Sequence, residues 1–384
     1  MAVISDRTLQ EHTKTKPIGI KRQNYRDVYN FLYNRGFASK QEIANALNMS
    51  LPTVTTHLTK LIKKGFVRQG DTMPSYIGRR AIAYEIVKNA YLSIGVEIIK
   101  KHAYISAIDL KGDAIARQTV DIRYKNEDSY YKEVSATIND FIMKEGFEIS
   151  KILGIAFTLQ GIASLDRKSI SWGLILGNTG LNVEAFQQYL EPHCYLLHDA
   201  RCAAIAESWE RKNLKNAIYL SVSPHLGSSV IFDGKAHRGD HSMGGVIEHA
   251  IIHPDGLTCY CGKKGCADPY CSLNSLVGED ETNAEFFEKK ANGNADAKTR
   301  WDAFLKNLAL LIHNSNMLLD VEIILGGHVA KYLTGEDLER LADNIKEITA
   351  FPDNLPVISI ARYQYNAIST GAALIIIDEF LENF

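Results

Sequence analysis

The stretch His249–Ser272, "HAIIHPDGLTCYCGKKGCADPYCS", sets four cysteines and two histidines close together, and no other part of the chain is as dense in metal-ligating groups. Cys259, Cys261 and Cys266, with His249 upstream, supply three thiolates and one imidazole, a complete tetrahedral shell for Zn2+. Four protein ligands leave no position open for water, so the expected metal is structural and no catalytic residue is assigned. A redox pair is the rival reading; C-x-C with a third Cys and an upstream His fits zinc better. Cys271 lies outside that spacing and, like Cys194 and Cys202, reads as a core thiol.

On both sides of this stretch, from about Tyr91 onward, strand-like and helix-like patterns alternate. "YLSIGVEII" and "HAYISAIDLKG" read as a hairpin ending at Gly112, "SYYKEVSATINDFIMKEG" as an amphipathic helix, and "KILGIAFTLQGIA" as a buried strand running into a loop. "AIYLSVS" and "SSVIFDG" repeat the hairpin in the second half. The expectation is a duplicated α/β domain over residues 89–384, with a ligand cleft between two lobes, 89–200 plus 370–384 and 201–369.

The front of the chain differs in charge. The whole protein has 384 residues and a net charge of −2, yet residues 1–88 carry 15 Lys/Arg against 6 Asp/Glu, a net of +9 that leaves −11 for the remainder. A basic front on an acidic body is the footprint of a nucleic-acid-binding module. Residues 1–19 are polar and read as a tail. Over 20–88, "KRQNYRDVYNFLYNRG" places Tyr25, Val28, Tyr29 and Leu32 on one stripe. "SKQEIANALN" opens with Ser39 as cap and Glu42 three residues later. "SLPTVTTHLTKLIKKG" starts with Ser50 as cap and Pro52 in its first turn. Only "NMS" separates the last two helices, the tight joint of a helix-turn-helix. "FVRQ" and "AIAYEIV" then read as a hairpin wing, with Arg79 and Arg80 at its edge. Removing the buried face of the third helix leaves Thr53, Thr55, Thr56 and Thr59 for DNA, with His57 and Lys60 nearby; hydroxyls read bases or hold phosphates, lysine holds phosphates only.

A hydrophobic content of 46% with 23% charged residues is that of a soluble globular protein. No apolar run approaches the roughly 20 residues of a membrane span. Six cysteines, four of them bunched, are not a secreted disulfide framework, so the cytoplasm is the expected compartment.

Several ordered motifs resemble the ROK family, which contains sugar kinases and sugar-responsive repressors. The family carries a His followed by C-x-C-G-x-x-G-C; here these are His249 and Cys259 to Cys266. "HDARCAAIAE" from His198 resembles the family's N-D-x-N-x-A-x-x-E, "VEIILGGHVA" its nucleotide-side glycine pair at Gly326 and Gly327, and "STGAALI" near Gly371 its closing helix. The resemblance implies an actin- or hexokinase-like (ribonuclease H-like) body behind the winged helix-turn-helix, and a zinc that pins a loop against a sugar pocket. The kinases hold ATP with two glycine-rich hairpin turns, D-x-G-x-T and G-T-G. This chain has Glu97, Ile99 and Lys101 at the first and Ser223-Pro224-His225 at the second. Proline donates no N–H, and neither loop keeps its small residues, so no ATP is expected and Asp199, the family's catalytic base, becomes a ligand contact.

The carried-over sugar contacts are Gly161, Asn178, Asp199, His249 and Asp268. Three departures mark the pocket. The family's G-E-x-G-H is Gly245-Val246-Ile247-Glu248-His249, its N-L-G-W is Asn178-Thr179-Gly180-Leu181, and its C-x-E is Cys266-Ala267-Asp268. Losing the Glu leaves three alternatives: a ligand without a hydroxyl there, Glu248 as its substitute, or weakened sugar binding. The expected partners are palindromic operator DNA, a sugar or sugar-phosphate effector, and a second copy in a dimer or tetramer, with a sugar-transport protein as an alternative regulator and no membrane insertion.

Overall fold

The structure, a computed structural model, describes residues 17–72, 81–278 and 281–384. The chain divides into two compact units, residues 1–90 together with Phe384, and Tyr91–Asn383. Among the described residues no helix is long and apolar enough to cross a membrane.

In the first unit α1 (Pro17–Arg35), β1 (Phe37–Ala38), α2 (Lys40–Ala46), α3 (Leu51–Lys63), β2 (Val67–Thr72) and β3 (Ile82–Ile86) follow in order. Helix α1 starts at Pro17, inside the stretch read as a tail; a proline fits a first turn because that N–H has no helical acceptor. Both expected caps form. Ser39 accepts from Glu42 N while the Glu42 carboxylate accepts from Ser39 N, and Ser50 accepts from Thr53 N at the start of α3. Each cap satisfies backbone donors that the helix cannot, typically worth about 1 kcal/mol. Val28, Tyr29, Leu32, Ile43, Val54, Leu58 and Leu61 form the core of this unit. Phe384 stacks on Tyr29 with 4.2 Å between centroids and meets Phe66 edge-on. Strand β3 pairs antiparallel with both β1 and β2, giving the winged helix-turn-helix its small sheet. The loop that carries Arg79 and Arg80 lies outside the described residues.

The second unit is built twice from one plan. Its first half runs β4 (Leu92–Ile98), β5 (His102–Asp109), β6 (Ala114–Asp121), α4 (Asp128–Lys144), β7 (Ile152–Leu159), β8 (Ile162–Ala163), β9 (Ile170–Trp172), α5 (Glu184–Gln187) and β10 (Cys194–His198). Helix α6 (Asp199–Glu210) leads to the second half: β11 (Ala217–Val222), β12 (Leu226–Phe232), β13 (Lys235–Ala236), α7 (Asp268–Cys271), α8 (Asn283–Ala291), α9 (Ala295–Leu319), β14 (Glu322–Gly326), α10 (Gly335–Ile348), β15 (Ile358–Ile360) and α11 (Ala367–Glu382). The sheet orders are β6-β5-β4-β7-β10 and β13-β12-β11-β14-β15. In each, three antiparallel strands are extended by two parallel ones. Superposable order and sense are what a duplicated domain requires, and the two predicted hairpins are β4–β5 and β11–β12.

Strand β4 is buried along its whole length, because β5, β7 and α11 cover it; Leu92, Ile94, Val96 and Ile98 alternate with Ser93 and Gly95, which lie against α11, and with Glu97. Helices α6 and α11 pack so closely that a Cβ added at Gly371 would stand 1.7 Å from the Cys202 carbonyl oxygen. Only glycine permits that approach. Helix α6 thus has a fixed seat, with its first residue, Asp199, delivered to the space between the two sheets.

Candidate metal centre, cleft and nucleic-acid interface

His249 closes a 3-10 turn (Ile247–His249), and the three cysteines follow on a small knuckle held by Cys259 N to Lys263 O at 2.8 Å and Gly262 N to Cys259 O at 2.8 Å. The ligand atoms of His249, Cys259, Cys261 and Cys266 all lie within 4.8 Å of one another. Cys261 Sγ is 3.7 Å from Cys266 Sγ, and Cys259 Sγ is 3.7 Å from His249 Nδ1. Two thiolates on one tetrahedral zinc stand about 3.8 Å apart, and a thiolate and an imidazole about 3.6 Å. The four residues therefore fit zinc in both chemistry and spacing. Tyr260 Oη lies 3.1 Å from His249 Nε2, which leaves Nδ1 to face the sulfurs. Trp172 meets the same imidazole edge-on at 5.1 Å.

Tyr260 and Trp172 also line a cavity of about 440 Å³, so the knuckle backs directly onto it. Both hairpin turns reach this cavity, the first with Glu97, Ile99 and Lys101, the second with Ser223, Pro224 and His225. Three backbone donors are spent or missing: Ile99 N–H donates to His102 O at 3.0 Å, Ser223 N–H to His225 O at 3.3 Å, and Pro224 has none. Asp199 lines the same space, its Oδ1 accepting from Ala200 N at 2.7 Å. Burial, with the negative Asp199 adding to it, pushes the Glu97 carboxyl up to about 8. Glu248 also lines the cavity; burial pushes it up to about 8, against the opposing hydrogen bond from Ser228 Oγ.

Of the expected sugar contacts, Gly161 and Asp199 line the cavity. Asn178, His249 and Asp268 do not, and each has a physical reason. His249 is turned to the cysteines with Tyr260 beside it. Asp268 accepts from Leu226 N at 2.8 Å and lies 3.5 Å from His225 Nδ1. Asn178 is fully buried, packed on Gly173, with neither amide atom partnered. The lining residues Trp172, Glu248 and Tyr260 take their place. Tyr260 was legible as the middle residue of C-x-C, whose neighbours face the metal; Trp172 carried no signal of its own.

On α3, Thr53 and Thr55 are half-buried and Thr56, Thr59 and Lys60 exposed. Thr56 Oγ1 donates to Pro52 O at 2.9 Å and Thr59 Oγ1 to Thr55 O at 2.8 Å, so both hydroxyls remain acceptors. His57 departs from expectation. It is only 5% exposed, its ring set edge-on to Tyr25 at 6.0 Å, because position 57 falls on the same stripe as Val54, Leu58 and Leu61. Burial, helped by the charge of Lys60, holds its pKa below the usual value, as suits a core imidazole.

A sequence profile of the ROK family matches residues 93–379, and one of a winged helix-turn-helix DNA-binding domain matches 23–68. The "DNA-binding transcriptional dual regulator NagC" of Escherichia coli K12 is 26% identical over 253 residues, 65% of this chain and 62% of that protein. An N-acetylmannosamine kinase of Vibrio cholerae is 28% identical over 289 residues, covering 70% of this chain and 97% of the kinase. Among solved structures, a ROK family transcriptional regulator described as a homolog of the E. coli MLC protein superposes with a TM-score of 0.77 at 19% identity, covering 95% of this chain and 98% of that one. The kinase is thus covered almost whole by part of this chain, whereas the regulator superposes over nearly all of it. With the family profile spanning most of its length, from β4 into α11, the chain belongs to the ROK family.

Proposed function

We propose that the protein is a transcriptional repressor of carbohydrate-utilisation genes, working in the cytoplasm, whose winged helix-turn-helix grips operator DNA and whose zinc-braced cleft takes a sugar or sugar derivative. The observation that carries this reading is the pairing of a winged helix-turn-helix with a ROK body in which one phosphate-side turn carries Pro224 and the N–H groups of Ile99 and Ser223 are spent within their own turns. A phosphoryl group needs several backbone N–H groups aimed at it; Pro224 contributes none, and the N–H groups of Ile99 and Ser223 already close their own turns. Zinc, when bound, supplies rigidity and no chemistry. His249, Cys259, Cys261 and Cys266 would hold it, and Tyr260 and Trp172 pass that rigidity to the cavity wall. Asp199 and Glu248 are the polar groups set to accept or donate hydrogen bonds to hydroxyls there. The unpaired amide of Asn178 supports a role for that loop once a ligand closes on it.

On DNA, Thr53, Thr55 and Thr56 are the base-side candidates and Lys60 a phosphate contact, with Arg79 and Arg80 proposed for the wing. A two-fold dimer would read a palindrome with half-sites about 34 Å, or a multiple of it, apart. Fluorescence anisotropy on operator fragments selected from random DNA, repeated against pentoses, hexoses and amino sugars, tests both clauses. The effector changes DNA affinity only by its preference between the two conformations. Tight operator binding that no sugar shifts removes the effector clause; no sequence preference at all removes the DNA clause. The enzyme reading is tested with ATP and the same sugars. ADP release abolished by Asp199→Asn would replace the repressor by a kinase carrying a DNA-binding head.

A further inference from the structure

Behind α6, on the side away from Asp199, the second unit holds another cavity of about 400 Å³. It collects three guanidinium groups far apart in sequence: Arg167 between β8 and β9, Arg201 in the first turn of α6, and Arg238 after β13. Only Arg167 is paired with a carboxylate, Glu379 of α11. The one side-chain hydrogen bond of Arg201 runs to the Ser242 carbonyl at 3.1 Å, and that of Arg238 to the Leu165 carbonyl at 2.7 Å. Arg201 is 8% exposed, so a buried full positive charge is answered by a single neutral oxygen. Burial is the main cause that brings the Arg201 pKa down to about 10, with smaller contributions in the same direction from the charges of Arg238 and Arg167.

An isolated buried charge is costly, and folds keep one only with a partner. Guanidinium groups in a cluster present planar forks that match phosphoryl oxygens two at a time. Five cationic side chains line the cavity, Arg167, Arg201, Lys212, Lys235 and Arg238, against four carboxylates, Asp233, Asp378, Glu379 and Glu382, so the wall carries a net of +1. Arg167 pairs with Glu379 and Lys235 with Glu382, whereas the hydrogen bonds of Arg201 and Arg238 run only to carbonyl oxygens. Trp209 gives the wall an apolar part, suited to a small organic carrier.

We propose that this cavity is a second ligand site, taking a phosphoryl dianion, free or on a small carrier, through Arg201 and Arg238 with Arg167 beside them. The site is separate from the cleft of Asp199, although His198, at the start of α6, lines both. The proposal does not depend on the repressor reading, because it can be read without DNA and without a sugar.

The test uses the full zinc-loaded chain in a melting assay with sodium phosphate, glycerol 3-phosphate, and sodium chloride at matched ionic strength. The expected result is a saturable rise in melting temperature with the phosphates and none with chloride, its half-point moved at least about ten-fold by Arg238→Met and by Arg201→Met. A lower half-point for glycerol 3-phosphate assigns the phosphoryl group to an organic carrier; a lower one for free phosphate assigns it to the inorganic ion. Lys101→Met, which removes the cation of the other cleft, should leave the rise in place. If Arg201→Met does not fold, Arg238→Met decides alone. A rise that chloride reproduces, or that survives Arg238→Met, or that is lost in Lys101→Met because the anion sits in the cleft, overturns the proposal, as does no rise at all.

Discussion

Replacing Glu97 by Gln should make the protein more stable, and increasingly so as the pH rises. Glu97 is buried near the end of β4, close to Asp199, and its carboxyl is pushed from the ordinary 4.5 up to about 8. The folded state therefore holds a proton at neutral pH that the unfolded chain has released. Between those two values the folded state binds more protons than the unfolded one, so stability falls as pH rises, by at most about 1.4 kcal/mol per pH unit. The contribution is undiminished below pH 4.5 and is lost progressively up to pH 8. Gln has nearly the shape of the protonated acid and no proton to lose. The gain of Glu97→Gln over the native protein should be under about 1 kcal/mol at pH 5 and roughly 3 kcal/mol at pH 7, levelling above pH 8. Urea unfolding followed by tryptophan emission isolates the right unit, because Trp172, Trp209 and Trp301, the three tryptophans of the chain, all lie in Tyr91–Asn383. Taking the difference between the two proteins at each pH cancels the other titrating groups. A difference that stays level from pH 5 to pH 8.5, or shrinks, would show that Glu97 is ionised in the folded state and that its desolvation has been misjudged.

Cys266→Ser should lower zinc from about one equivalent to well below it and drop the melting temperature, and a chelator should do the same to the native protein while leaving the variant unmoved; colorimetric zinc release checks both. Lys60→Ala should weaken all DNA sequences alike and reduce the slope of log affinity against log salt by about 2, one contact for each protomer of the dimer, read from titrations at several salt concentrations. His57→Ala should instead destabilise the first unit by about 1–3 kcal/mol without changing the ranking of DNA sequences, which backbone hydrogen exchange and competition binding separate. Gly371→Val, whose Cβ would meet the Cys202 carbonyl at 1.7 Å, should cost about 3 kcal/mol or more in the tryptophan-monitored transition.

What was legible in the sequence was local. Caps at Ser39 and Ser50, the β4–β5 and β11–β12 hairpins and the metal quartet depend on residues a few positions apart, and each forms as read. His57 was misplaced on the DNA face although it follows Val54 by three and precedes Leu61 by four, a spacing that marks the inner stripe. The cleft was legible only in its anchors. Gly161 and Asp199 reach it through strand and helix ends whose direction the fold fixes, whereas Asp268 at the start of α7 is turned to Leu226 N and Asn178 is buried in its loop with its amide unpaired. The arginine cavity was invisible, since Arg201 of α6 meets Arg167 and Arg238 from two separate connections that only the tertiary packing brings together.

Glu248, two residues after the Val246 that stands in place of the family's Glu, lines the cavity, and we propose it as the substitute carboxyl, oriented by the residue beside it. In a 3-10 turn, with three residues per turn, neighbouring side chains point about 120° apart. Once His249 is committed to the cysteines, Glu248 cannot share its direction, and in Ile247–His249 it is carried instead to the cavity wall and held there by Ser228. A zinc ligand thus fixes the orientation of an adjacent carboxyl that never touches the ion. Losing zinc should then release Glu248 along with the knuckle, so Cys266→Ser weakens the cleft's grip on a hydroxylated ligand even though Asp199, seated on α6 and remote from the knuckle in sequence, keeps its place.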